Sequence, residues 1–127
     1  ASQALGRSDT LRHLPADDRG LWLAEGTARR FAPDDTVVEQ EEEARWLGLV
    51  VRGRIEVLRE ENVVATLGPD EVIGEMAWLR QGTRNATVRA VEETLIWTWD
   101  PDFLDRHASP GTVLRDDLES LARERSG

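Results

Sequence analysis

The chain has no cysteine, no lysine and no tyrosine among its 127 residues. Without cysteine there are no disulfides, no thiolate metal sites and no cysteine nucleophile. Histidine is nearly absent too. His13 and His107 lie at opposite ends of the chain, outside the segments that read as strands. A metal enzyme on a β scaffold would need several inward-facing ligands, and a serine hydrolase would need a Gly-x-Ser-x-Gly turn; neither pattern occurs. No apolar run approaches the roughly 20 residues that span a bilayer, and no secretory signal pattern is visible. The 16 basic residues, all arginine, are outnumbered by 25 acidic ones, for a net charge of −9. Such a body repels polyanions as a whole, which argues against direct nucleic-acid binding or an acidic membrane surface. These absences point to a cytoplasmic protein that is not an enzyme and carries no metal or cofactor.

What remains is 39% hydrophobic and 32% charged, the composition of one soluble domain with a real core. The ends, Ala1-Ser2 and Ser126-Gly127, read as those of a piece excised from something longer. Residues 9–27 read as helical, with Asp9 as a cap, Pro15 near a helix start, and Leu14, Leu21, Ala24 and Ala28 at near-helical spacing. Residues 27–100 read as eight short strands: 27–31, 36–39, 46–51, 54–59, 63–67, 71–73, 86–91 and 94–99. Gly, Pro, Asp and Glu separators stand between them, and such spacing predicts a sandwich or barrel. The run Glu39 to Glu43 falls in a solvated loop. Residues 101–125 turn helical again. Asp100-Pro101-Asp102 makes a helix start, Ser109-Pro110-Gly111 a break, and Leu114, Leu118, Leu121 and Ala122 an apolar stripe.

One segment carries chemistry. A strand ends at Ile73, Gly74 permits a sharp turn, and a short helical turn from Glu75 to Leu79 follows. Its first amides are left without intrahelical acceptors, a natural place for an anion. Ten residues beyond Gly74, Arg84 begins a return that can bring a guanidinium back to that helix end, and arginine matches phosphate as a bidentate fork. Asn85 adds a neutral donor, and Ala86 leaves room for a bulky ligand. Glu75 beside a phosphate site makes sense if it accepts a hydrogen bond from a sugar hydroxyl. Each residue also has a plainer reading: Arg84 as a surface arginine, Glu75 as a first-turn carboxylate satisfying the helix dipole. The five tryptophans read as core aromatics, with Trp78 singled out because it sits in this segment.

Gly74-Glu75-Met76-Ala77 followed by Arg84-Asn85-Ala86-Thr87-Val88 resembles the phosphate-binding cassette of the cyclic nucleotide-binding domains, found in the catabolite activator protein, cyclic-nucleotide-dependent kinases and gated channels. The resemblance spans roughly Leu11 to Leu121. Phe31-Ala32-Pro33 with Val37 to Gln40 is similar to the family's early strands, Val50 to Ile55 to its central hairpin, and Leu67-Gly68-Pro69 to its approach to the cassette. It implies an eight-stranded jelly-roll β-barrel flanked by N- and C-terminal helices, with residues 1–127 forming a single domain. It implies that Glu75 takes the ribose 2′-hydroxyl, and that the Met76 and Ala77 amides hold the cyclic phosphate together with Arg84. Val57 and Val64 would line the sugar-base side, and the helix bearing Leu114 and Leu118 would close over the base. Asn85 stands where the family usually has serine, threonine or alanine. Asp34, Glu41 and Asp70 stand where it usually has glycine in positive-φ turns, which costs on the order of 1–2 kcal/mol per non-glycine residue.

The function expected on this resemblance is a regulatory sensor. It would bind a cyclic nucleotide, cAMP in preference to cGMP, and relay binding through the C-terminal helix to an output domain or a homodimer partner. The alternative is a degenerate, ligand-free scaffold acting as a dimerisation or protein-interaction module.

Overall fold

The computed structural model describes residues 2–8, 11–80 and 84–126. Asp9, read as a cap, and Gln81 to Thr83 of the cassette lie outside the described residues. Among the described residues, eight strands form two antiparallel four-stranded sheets. They are β1 (Thr27–Phe31), β2 (Thr36–Val38), β3 (Leu47–Arg52), β4 (Ile55–Arg59), β5 (Asn62–Leu67), β6 (Val72–Ile73), β7 (Thr87–Ala90) and β8 (Thr94–Trp99). One sheet runs β1-β8-β3-β6 and the other β2-β7-β4-β5, the jelly-roll order. Helices α1 (Ser2–Arg7), α2 (Ala16–Glu25), α3 (Glu75–Arg80), α4 (Pro101–His107) and α5 (Val113–Ser126), with a 3-10 turn at Leu11–His13, complete the chain.

The period of two in the strands builds two cores rather than one. On β3 and β8 one face looks into the sandwich, where Val50 and Ile96 pack with Val38, Trp46, Ile55, Ile73 and Val88. Gly48 shares that inner face. A Cβ there would lie 2.9 Å from Ile96 and 2.8 Å from the Trp46 ring, so the sheets leave no room for a side chain. The other face, Leu47, Leu49 and Trp99, packs against Leu11, Trp22, Phe103, Leu104, Leu114 and Leu118 of the helical layer. Trp22 meets Trp99 and Phe103 edge to face, with centroids 5.0 and 4.9 Å apart, and the Trp99 indole N–H donates to the Trp22 carbonyl at 2.7 Å. Burial on both sides explains why β3 reads as a continuous apolar run. The stripe read on α2 is corrected by the same packing. Leu21 and Ala24 face solvent and Ala28 lies in β1, while Trp22 carries the buried contact.

Residues 50–55 do not form a hairpin. β3 and β4 belong to different sheets, and Gly53, at φ 99°, turns the chain from one to the other. A Cβ there would lie 2.4 Å from the Thr94 hydroxyl and 2.5 Å from the Glu93 carbonyl. The true hairpin is β4–β5, paired from Ile55↔Leu67 to Arg59↔Asn62. Its two turn residues, Glu60 and Glu61, sit at φ 51° and 68°, the left-handed pair that a two-residue hairpin loop requires. Asp34, Glu41 and Asp70 adopt φ 72°, 75° and 75°. All five non-glycine residues in this region of backbone space, among those described, are acidic. Asp100 stands at the start of α4 as expected, but its side chain makes no capping bond.

Glu61 has an exposed side chain and a left-handed backbone, so its replacement isolates the backbone cost. Glu61→Gly is expected to stabilise the fold by about 0.5–1 kcal/mol, the left-handed penalty less the extra chain entropy of glycine. Gly53→Ala is expected to destabilise it. Thermal unfolding of the two variants reads both signs.

Candidate functional site

The polypeptide between β2 and β3 looks, in sequence, like a solvated acidic loop. Glu41, Glu42 and Glu43 do expose their side chains. Their backbone, however, holds Arg84: the Glu41 N–H donates to the Arg84 carbonyl at 2.7 Å, and the Arg84 N–H to the Glu42 carbonyl at 2.8 Å. The same loop supplies acceptors for the side chain. Arg84 Nε donates to the Ala44 carbonyl at 2.6 Å and Nη2 to the Trp46 carbonyl at 2.9 Å. The guanidinium lies over the Trp46 ring, 4.5 Å from its centroid. Arg84 is left 5% exposed. Burial lowers its pKa to about 10, with the Glu75 carboxylate and then Glu42 opposing the shift. The side chain is therefore still cationic at neutral pH. Two of the five guanidinium N–H donors are spent on these carbonyls.

Gly74 is what lets this cation meet the start of α3. Its φ is 89°, and a Cβ would fall 2.7 and 2.8 Å from the two terminal nitrogens of Arg84 and 2.5 Å from the Trp46 carbonyl. α3 then begins at Glu75. The Trp78 N–H reaches back to the Gly74 carbonyl at 3.3 Å, and the amides ahead of it, by their place in the first turn, have no intrahelical acceptor. Glu75 is 2% exposed. A buried carboxylate needs a counter-charge, and the C-terminal helix provides one. Arg125 Nη1 donates to both Glu75 oxygens at 3.1 and 3.0 Å and to the Val72 carbonyl at 2.6 Å.

These groups open onto one cavity of about 350 Å³, within the size range of small-ligand sites. Gly74, Glu75, Met76, Ala77, Arg84, Asn85, Ala86, Val57 and Val64, the nine residues singled out in the sequence, all line it. Val57 and Val64 form its β4–β5 wall, with Val64 52% exposed. Asn85 is exposed, and its amide contacts the Met76 sulfur at 3.6 Å. Three arginines, Arg59, Arg84 and Arg125, and one carboxylate, Glu75, line the cavity; Arg125 is paired with Glu75 and Arg59 is exposed, which leaves Arg84 as the buried cation. Such a cavity suits a monoanion bearing hydroxyl groups and an apolar flat body.

Sequence reasoning missed Arg125. The signal was present: Arg125 lies four residues after Leu121 and seven after Leu118, on the face of the apolar stripe. Leu114 and Leu118 of the helix expected to close over the base are buried in the helical core, and that helix lines the cavity at Arg125. Trp78 is not a base platform. It is buried, donates its indole N–H to Asp105 at 3.0 Å, and lies beneath Arg115. His13 pairs with Asp117 of α5 at 2.7 Å, and His107 packs on Phe103. Among the described residues no cluster of three or more His, Asp or Glu side chains could hold a metal, and no helix is long and apolar enough to cross a membrane.

Comparison with known proteins adds a family to this geometry. The cyclic nucleotide-binding domain family matches residues 28–109. The chain is 31% identical over 97 residues to the cyclic AMP receptor protein of Thermus thermophilus, covering 72% of this chain and 45% of that one. It is 43% identical over 92 residues to the rat voltage-gated inwardly rectifying potassium channel KCNH6, covering 64% of this chain and 9% of the channel. A regulatory subunit of a cAMP-independent protein kinase A from Trypanosoma brucei shares the fold with a TM-score of 0.84 at 20% identity, over 98% of this chain and 44% of that one. The chain spans less than half the length of each of these proteins. With the family matched across most of the jelly roll and its cassette residues gathered around one cavity, the chain belongs to the cyclic nucleotide-binding domain family.

Proposed function

We propose that this domain is a regulatory module that binds a 3′,5′-cyclic nucleotide, cAMP in preference to cGMP, in the cavity beneath α5. The observation that carries the reading is the convergence of the buried Arg84 cation, Glu75 and the first-turn amides of α3 on one cavity. A cyclic phosphodiester carries one negative charge. Its phosphate sits against Arg84 and the Met76 and Ala77 amides, its 2′-hydroxyl faces Glu75, and Val57 and Val64 border the sugar and base. The relative named a cyclic AMP receptor protein supports cAMP as the nucleotide to test first. The module performs no catalysis, needs no metal or cofactor, and works in the cytoplasm. Occupancy is relayed through α5 to an output domain or a second copy of the chain, because α5 reaches the cavity at Arg125 and packs into the helical core through Leu114 and Leu118, beside α3, which also touches both.

The second reading, a ligand-free interaction module, has its own observation. Two Arg84 donors are committed to carbonyls, and Glu75 is paired with Arg125, so the site is satisfied by its own chain. Sedimentation with and without cAMP separates the two. A mass or thermal midpoint that responds to cAMP favours the sensor, and self-association indifferent to cAMP favours the scaffold.

Isothermal titration tests the sensor directly. Wild type is expected to bind cAMP, and Arg84→Glu to lose roughly 2–5 kcal/mol of binding free energy, the cost of removing a desolvated charge partner. Gly74→Ala is expected to weaken binding as well, because the new methyl displaces the guanidinium. The dependence on pH has a definite sign. The protonated guanidinium is the form that meets the phosphate, so affinity stays flat through neutral pH. It falls as pH rises past about 10, earlier than an ordinary arginine would allow. Absence of measurable heat with both cAMP and cGMP on wild type would defeat the reading.

A further inference from the structure

Arg125 closes the cavity from a position that the proposed ligand must claim. Its Nη1 spans both oxygens of Glu75 at 3.1 and 3.0 Å, and Glu75 is otherwise enclosed, with 3% of its side chain exposed. Glu75 and Arg125 both line the cavity, so the bond between them lies at its wall. The guanidinium is fastened a third time, by the Val72 carbonyl at 2.6 Å, on the short strand that leads into the cassette. Arg125 thus ties the last turn of α5 to the two residues that bracket the Ile73-Gly74 turn.

We infer that Arg125 is an internal competitor of the ligand at Glu75, a latch that a bound sugar hydroxyl displaces and that frees the last turn of α5 when it goes. The inference rests on the reading of the cavity as a nucleotide site, and it gives the relay a sign. Arg125 already donates to both Glu75 oxygens, and with 3% of that side chain exposed a hydroxyl arriving from the cavity contends for the same enclosed carboxylate. The hydroxyl must therefore replace the stronger, charge-assisted bond. The exchange is favourable overall only because the phosphate adds its own interaction at Arg84. Ligand affinity is then lower than the cavity alone would give, and the difference is spent on releasing α5. Leu118 and Ala122, buried against the helical core, keep the body of α5 in place, so release concerns its end.

A lid residue that grips the ligand and a latch that competes with it predict opposite effects of the same substitution. The test is isothermal titration of the full chain with cAMP, for wild type, Arg125→Ala, Arg125→Gln and, as a control for lost charge in the same turn, Arg123→Ala. Amide hydrogen exchange of residues 121–125 is measured alongside. The latch predicts roughly tenfold tighter binding in Arg125→Ala and Arg125→Gln, the scale of one charge-assisted hydrogen bond. It predicts affinity like wild type in Arg123→Ala, and faster exchange of the last turn of α5 when cAMP binds wild type. Equal or weaker binding in both Arg125 variants, or protection of that turn by cAMP, overturns the inference and leaves the nucleotide reading intact. No binding by wild type and by both Arg125 variants overturns the nucleotide reading, and the competition falls with it.

Discussion

The burial of one guanidinium organises this molecule's functional half. Arg84 would be costly to desolvate alone, and each feature around it offsets part of that cost. Two carbonyls of the β2–β3 loop accept its hydrogen bonds, and the face of Trp46 lies beneath it. Cation–aromatic contacts contribute about 2 kcal/mol when desolvated, and hydrogen bonds from a charged donor about 1.5–3 kcal/mol each. The remaining counter-charge comes from Glu75 and Glu42. Because the loop carbonyls hold the inner edge of the guanidinium, its other donors are left at the cavity lined by α3. The geometry that buries the cation is the same geometry that presents it.

The loops that do this carry backbone strain. Glu41 occupies left-handed backbone, and its N–H closes the pair of main-chain bonds that fix Arg84. Asp70, also left-handed, donates to the Val50 carbonyl at 2.7 Å, and its carboxylate pairs with Arg7 at 2.9 Å. Asp34 donates to the Ala90 carbonyl at 2.8 Å. In each case the turn is held by a main-chain bond to a strand or to the cassette, and the surrounding sheet over-determines the conformation. The acids at these turns add negative charge to a body already at −9. That charge makes the positive cavity a local exception rather than part of a basic surface.

Much of this was legible in the sequence, for reasons that differ between elements. The strands were readable because β-branched runs and turn residues alternate at short spacing, and β1 and β8 fall at Thr27–Phe31 and Thr94–Trp99 as read. The left-handed turns at Asp34, Glu41 and Asp70 followed from the family's glycines, not from the acids themselves. The I′ pair Glu60-Glu61 was read only as a separator, since two glutamates give no turn signal of their own. The hairpin reading of residues 50–55 failed because strand periodicity says nothing about which sheet a strand joins. Residues 75, 84 and 86 could be placed together by their spacing from Gly74. Arg125 could not, because its partner is 50 residues away and only the docking of α5 brings the two into contact.

Charge sets the final constraint on what the cavity accepts. On the proposed reading, a site whose buried anion partner is the single Arg84 cation, inside an acidic protein, discriminates by valence before it discriminates by shape. A dianion gains from Arg84 but meets the acidic loop at residues 39–43 beyond it, and a neutral nucleoside leaves the Arg84 charge without its anion. A singly charged ring phosphodiester satisfies both conditions, provided that its sugar offers a donor to Glu75. Arg125 tightens that proviso. While it covers the carboxylate, a ligand lacking the hydroxyl has nothing with which to displace it. On the proposed reading, recognition of the sugar and release of α5 become one event at one carboxylate, not two events linked through the fold.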